Sequence, residues 1–159
     1  MPVKPRSPLP SALPYGEVDE GDFQESVRRQ KSRLVIDGWT QENVPISQIN
    51  VELTRAVGRF RSTRSGFVIG LVIHATVART AGTLTIKVFK NTGLAGAAGA
   101  QLGVLVAKLD ATNTSKHAVI QRSASDFFSA RDELYLTVTT DASWAPTTSD
   151  IRCALEIEI

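Results

Sequence analysis

The sequence predicts an all-β protein: an antiparallel two-sheet β-sandwich of about eight strands behind an extended, Pro-rich N-terminal arm. Three observations carry this. After Ile49 apolar residues alternate with polar ones at a period of two, as half-buried antiparallel strands require. Clusters of Gly, Ser, Thr, Asn and Asp interrupt these runs about every ten residues, the turn spacing of a sandwich. Five of the seven prolines fall within the first fourteen residues.

Residues 1–22 form the arm. Pro2, Pro5, Pro8, Pro10 and Pro14 fix φ, remove backbone donors and push the preceding residues out of the helical region. Such a segment is extended and builds no core. One reading is a solvated tail. The other is an anchor that orders on a partner, with Pro5, Leu9, Leu13, Tyr15 and Phe23 as its partner-binding residues.

Residues 23–48 connect arm and body. Phe23 and Val27 share a helical face after a possible Asp22 cap, which fits a short helix. Arg28, Arg29, Lys31 and Arg33 read as a solvated face rather than a phosphate-binding patch. Leu34-Val35-Ile36 followed by Asp37-Gly38 predicts a short strand entering a turn.

The sandwich is expected over residues 49–159. Ile49, Val51 and Leu53 open it. Phe67, Ile69, Leu71, Ile73, Ala75 and Val77 then form one face of a long strand. Thr80 to Gly82 reads as a short hairpin connection to the strand of Leu84, Ile86 and Val88. Gly93–Gly103 is a flexible loop at one end, and less regular strands fit Leu102–Leu109 and His117–Arg122. Leu134, Leu136 and Val138 mark a further strand. In the last strand Ile151, Cys153, Leu155, Ile157 and Ile159 point one way; Arg152, Ala154, Glu156 and Glu158 point the other.

Composition narrows the function. The 18 basic and 16 acidic side chains leave a net charge of +2, unlike the basic excess of a dedicated nucleic-acid binder. No apolar run approaches the roughly eighteen residues of a membrane helix. The opening stretch lacks the apolar core of a secretory signal, and the single Cys153 excludes an internal disulfide framework. Together these predict synthesis in a reducing cytoplasm, with no nucleic-acid or membrane partner.

The raw material for catalysis is thin. His74 and His117 are the only histidines, and neither lies in an HExxH, GxSxG, CxxC or Walker pattern. Asp126, Asp132, Glu133, Asp141 and Asp150 sit at strand ends, where carboxylates serve turns more often than they form a glycosidase pair. Cys153 belongs to an apolar row and reads as a small buried hydrophobe. No catalytic, cofactor-binding or metal-binding residue is therefore assigned, and no enzyme activity is expected. Trp144 is a lid over the end of the sandwich or a platform for sugar stacking. Arg55, Arg59, Arg61 and Arg64 block edge pairing or meet carboxylates of a neighbouring subunit. Trp144, Arg59 and Arg61 are the candidate ligand or subunit contacts.

Residues 127–159, FFSARDELYLTVTTDASWAPTTSDIRCALEIEI, resemble the C-terminal portion of β-sandwich modules of tailed-phage virion surface proteins: head fibres, capsid decoration proteins and tail-fibre tips. The pattern is a turn at Phe128 to Asp132, a Thr-rich strand end from Leu134 to Thr140, the loop Trp144 to Thr148 and a closing strand from Ile151 to Ile159. GFVIGLVIHATVARTAGTLTIKVFKNTG, opened by Gly66 and closed around Asn91, is similar to that module's central hairpin. The resemblance spans residues 49–159 and leaves the arm uncovered, and Arg131 stands where the turn usually has Gly. It implies a jelly-roll-like fold and a homo-oligomer, a trimer by preference, made in the host cytoplasm and placed on the virion. Its partners would be capsid or fibre subunits, bound through the arm. The expected function is a non-enzymatic head fibre or decoration protein. The alternatives are a receptor- or carbohydrate-binding tail-fibre module and, third, a cellular ligand-binding sandwich.

Overall fold

The computed structural model describes residues 32–92 and 98–159. The arm and the short helix expected after it lie outside those residues. Eleven strands follow in order: β1 (Arg33–Gln41), β2 (Val51–Glu52), β3 (Thr54–Arg55), β4 (Phe60–Arg61), β5 (Gly66–Ala75), β6 (Leu84–Asn91), β7 (Ala100–Leu109), β8 (Ser115–Val119), β9 (Phe127–Phe128), β10 (Glu133–Thr140) and β11 (Ile151–Glu158). One sheet is ordered β3-β1-β11-β5-β8, with β9 also on β5; the other is ordered β2-β10-β6-β7, with β4 also on β10. All pairings are antiparallel.

The principal pairings are nested. β1 pairs β11, β2 pairs β10, β5 pairs β8 and β6 pairs β7. A long antiparallel hairpin rolled up on itself gives this order, and it is the jelly roll. The fold class is all-β, as the alternation requires. The surplus over eight strands comes from two-residue pieces.

The core lies between the sheets. Leu84, Ile86 and Val88 of β6 and Leu134, Leu136 and Val138 of β10 are fully buried, facing Leu71, Ile73, Ile151 and Leu155 of the other sheet. Each such side chain contributes about 1.5–3 kcal/mol when buried. Trp39, Phe128 and Trp144 are the largest fully buried side chains.

Five expectations change. First, the sheet begins before residue 49, because β1 pairs with β11 on both sides of Asp37-Gly38. Asp37-Gly38 is accordingly no turn. The β1–β11 register slips between Ile36 and Trp39, so the two residues form a bulge inside one continuous strand. Arg55 holds it, donating from Nε to the Asp37 carbonyl at 2.9 Å with its guanidinium 5.1 Å from the Trp39 ring centre.

Second, the run Ile49–Leu53 is not one half-buried strand. The chain passes from one sheet to the other here, β2 joining β10 and β3 joining β1. Only Leu53, at the crossing, is buried, while Ile49 is 79% exposed.

Third, the long strand changes face along its length. Glu156 pairs Gly70 and Ile157 pairs Val68, leaving Ile69 as the extra residue of a bulge. Val68 therefore joins Leu71, Ile73 and Ala75 in the core. Phe67 turns outward against Phe127, ring centres 5.4 Å apart. Val77 lies beyond the strand and is exposed.

Fourth, β5 and β6 belong to different sheets, so Thr80 to Gly82 is a crossing and not a hairpin. It is tied to the Trp144 loop by the Ala81–Ala145 bridge. Fifth, β7 starts at Ala100, which takes the end of the expected Gly93–Gly103 loop into a strand; residues 93–97 lie outside the described residues.

The sandwich has two distinct ends. Ser32 and Ile159 exchange backbone hydrogen bonds of 3.1 and 3.0 Å, so the preceding chain joins the body there. At the other end lie the loops that follow Gln41, Ala75, Leu109 and Thr140.

Candidate functional site

Arg59 and Arg61 are brought together on the outer face of the five-stranded sheet. β4 places Arg61 directly opposite Glu133 of β10, and cross-strand partners share a face. Arg61 Nη2 lies 2.6 Å from Glu133 Oε1. On its other side Glu133 pairs with Asn91 of β6, whose Nδ2 donates to Oε2 at 3.3 Å. Arg59, one residue before β4, folds back on β2. Its Nε and Nη2 donate to the two Glu52 oxygens at 2.9 and 2.7 Å, and Nη1 lies 3.6 Å from Glu133 Oε2. Its guanidinium stacks 4.0 Å from the Tyr135 ring centre, an arrangement that suits the planar delocalised cation.

Electrostatics follow from this geometry. Burial alone pushes the Glu133 carboxyl up. The hydrogen bonds of Arg61 and Asn91 and the charges of Arg61 and Arg59 outweigh it and hold the group below its ordinary value. The hydrogen bond that Arg59 donates to Glu52 raises Arg59 above its ordinary value against the opposing effect of desolvation. A carboxylate held ionised in this way accepts hydrogen bonds but is a poor proton donor near neutral pH. The cluster acts as a clamp that joins β2, β4, β6 and β10. The four-arginine group thus meets carboxylates within its own chain in Arg59 and Arg61, and Arg55 secures the β1 bulge.

Trp144 is at the opposite end of the sandwich from Arg61 and Glu133. It is 2% exposed, with Nε1 donating to the Val44 carbonyl at 3.2 Å. The loop around it is ordered by Asp141, whose Oδ1 accepts from the Ser143 N–H at 2.9 Å. A ring this deeply covered offers no stacking platform, so the sugar-contact role is corrected to that of a packed lid. Pro5, Leu9, Leu13, Tyr15 and Phe23 lie outside the described residues.

The other reactive side chains are dispersed. Cys153 is a free, buried thiol, and burial pushes it well up, away from the thiolate form a nucleophile needs. His74 and His117 share the outer face of the six-stranded sheet, on β5 and β8. His117 Nε2 lies 3.2 Å from Glu156 Oε2. Among the described residues no group of three or more His, Cys, Asp or Glu is placed to hold a metal ion. No helix among them is long and apolar enough to cross a membrane. Sequence reasoning missed Glu52, Tyr135 and Asn91 as partners of the arginines; only the pairing register brings them into reach. Compared with models of known protein families and with curated proteins, the chain matches none.

Proposed function

We propose that this protein is a non-enzymatic structural protein of a phage virion, displayed on the particle surface as a head fibre or decoration protein and attached through residues 1–22. The observation that carries the reading is the polarity of the body. The body begins at Ser32, beside Ile159, at the end of the sandwich opposite the loops that follow Gln41, Ala75, Leu109 and Thr140, so attachment and display have separate ends. The clamp of Arg59, Arg61, Glu52 and Glu133 and the lid at Trp144 fit the same role. They use polar and aromatic side chains to brace a jelly roll. The partners are capsid or fibre subunits, and the copies associate with one another.

Removal of residues 1–22 tests this. The truncated chain should keep the melting behaviour of the full chain but no longer cosediment with particles lacking the native copy. Undiminished cosedimentation would place the attachment in the body and defeat the reading.

A further inference from the structure

The six-stranded sheet presents a second patterned surface that the clamp does not use. On β11 Ile151, Cys153, Leu155 and Ile157 are buried inward, so Arg152, Ala154 and Glu156 face out in that order. Val72 of β5 lies beside Ala154. The row of Glu156 continues to Val35 of β1 and, across Gly70, to Val119 of β8. Val35 and Val119 are 66% and 62% exposed. The central row thus runs from Ala154 through Val72 to His117 of β8, with a cation on one side of Ala154 and a carboxylate on the other.

Gly70 keeps this face low. A Cβ there would stand 2.3 Å from Glu156 Oε2. The bare backbone lets the carboxylate lie across β5 toward His117 instead of standing up from the sheet. Ala154 and Val72 leave the centre of the face low between the longer side chains of Arg152, His74, His117 and Glu156, so another sheet can approach there at a spacing of about 10 Å.

Arg152 and Glu156 are four residues apart on one strand, about 13 Å, too far to pair within the chain. A two-fold axis lying in the interface, across the strands above Ala154 and Val72, changes that. It sets each Arg152 over the Glu156 of the other copy and packs Ala154 and Val72 on their counterparts. Self-complementarity of this kind is the requirement for an isologous contact. We propose that the outer face of the six-stranded sheet binds a second copy of this chain in this way. A face of four strands, about 20 Å by 20 Å, buries roughly 800 Å² over both copies, below a stable specific interface and in the range of weak, transient contacts, so the dimer depends on concentration. The inference stands independently of the virion reading and replaces the trimer that the resemblance implied with a pair.

Sedimentation velocity of the full chain over a concentration series tests it. The expected species is a two-chain complex. Arg152→Glu and Glu156→Arg should each weaken it by about tenfold or more, because each places like charges opposite one another. An equimolar mixture of the two variants should restore association, since every contact then pairs opposite charges. Val35→Lys, at a position too exposed to matter for folding, should weaken it as well and decides the matter if either charge variant melts early. A monomer at all concentrations, a three-chain species, or variants that associate like the wild type would overturn the proposal.

Discussion

Arg61 and Glu133 face each other across the β4–β10 ladder, with Nη2 2.6 Å from Oε1 and Glu133 only 6% exposed. Asn91 and Arg59 approach the same carboxylate from the side, so its charge is satisfied in a place where a bare charge would not be tolerated.

This gives the first prediction. The folded-state value of Glu133 lies below its ordinary value. Its contribution is therefore present above the unfolded value of about 4.3 and is lost as pH falls through the lowered folded value. Glu133→Gln should cost about 1–2 kcal/mol at pH 7, less than a fully buried pair because Arg61 is half exposed. It should also flatten the loss of stability below about pH 4.5. Denaturant melts from pH 7 to pH 3 measure both. Parallel pH curves for the two proteins would show that the clamp contributes nothing through its charge.

What was legible in the sequence depended on one kind of signal. Leu155 and Ile157 on β11, and Leu134 and Leu136 on β10, alternate without interruption, and each lies in the core as its row predicts. The two bulges gave no such signal. Val68 is as apolar as Phe67, so nothing local says that Ile69 is the extra residue and that the faces exchange there. The crossing at Thr80 to Gly82 has ordinary turn chemistry, and turn chemistry does not specify which sheet receives the next strand. The candidate site was half visible for the same reason. The arginines stood out as a group, but Glu133 lies 72 residues from Arg61 in sequence, and only the register of β4 on β10 brings them together.

Arg131 offers a second prediction. Its φ is +76°, the left-handed region that costs a non-glycine residue about 1–2 kcal/mol. It sits in the turn bounded by Ser129 and Asp132, where Asp132 Oδ2 accepts from the Ser129 N–H at 2.8 Å. Arg131→Gly should raise stability by about 0.5–1 kcal/mol, the relief of strain being partly offset by the unfolded-state entropy of glycine. Thermal or denaturant melts measure it, and a loss of stability would mean that the Arg131 side chain contributes more than its backbone costs.

Register in the last strand gives a third. Leu155 is fully buried in the inward row, while Glu156 faces out beside it. Leu155→Asp should abolish folding, because an unpaired buried charge costs as much as a small domain's whole stability, on the order of 5 kcal/mol. Glu156→Lys should change the melt of the monomer by no more than about 0.5 kcal/mol. Comparable soluble yield and melting of the two variants would contradict the register.

The fourth prediction separates packing from recognition at Trp144. The indole is 2% exposed and its Nε1 satisfies the Val44 carbonyl at 3.2 Å, while Val44 itself is fully buried. Phenylalanine keeps most of the apolar contact but has no N–H, which leaves that carbonyl without its indole donor. Trp144→Phe should cost about 1–3 kcal/mol, the penalty for an unsatisfied buried polar group. Trp144→Ala should cost about 3–5 kcal/mol, because a cavity opens as well. A ligand-contacting tryptophan would behave in the opposite way, with binding lost and the melt unmoved. Urea melts of both variants, beside binding to a panel of glycans, make the distinction. A melt unchanged in Trp144→Ala would mean that the ring is not the lid holding the Asp141–Asp150 loop against the core.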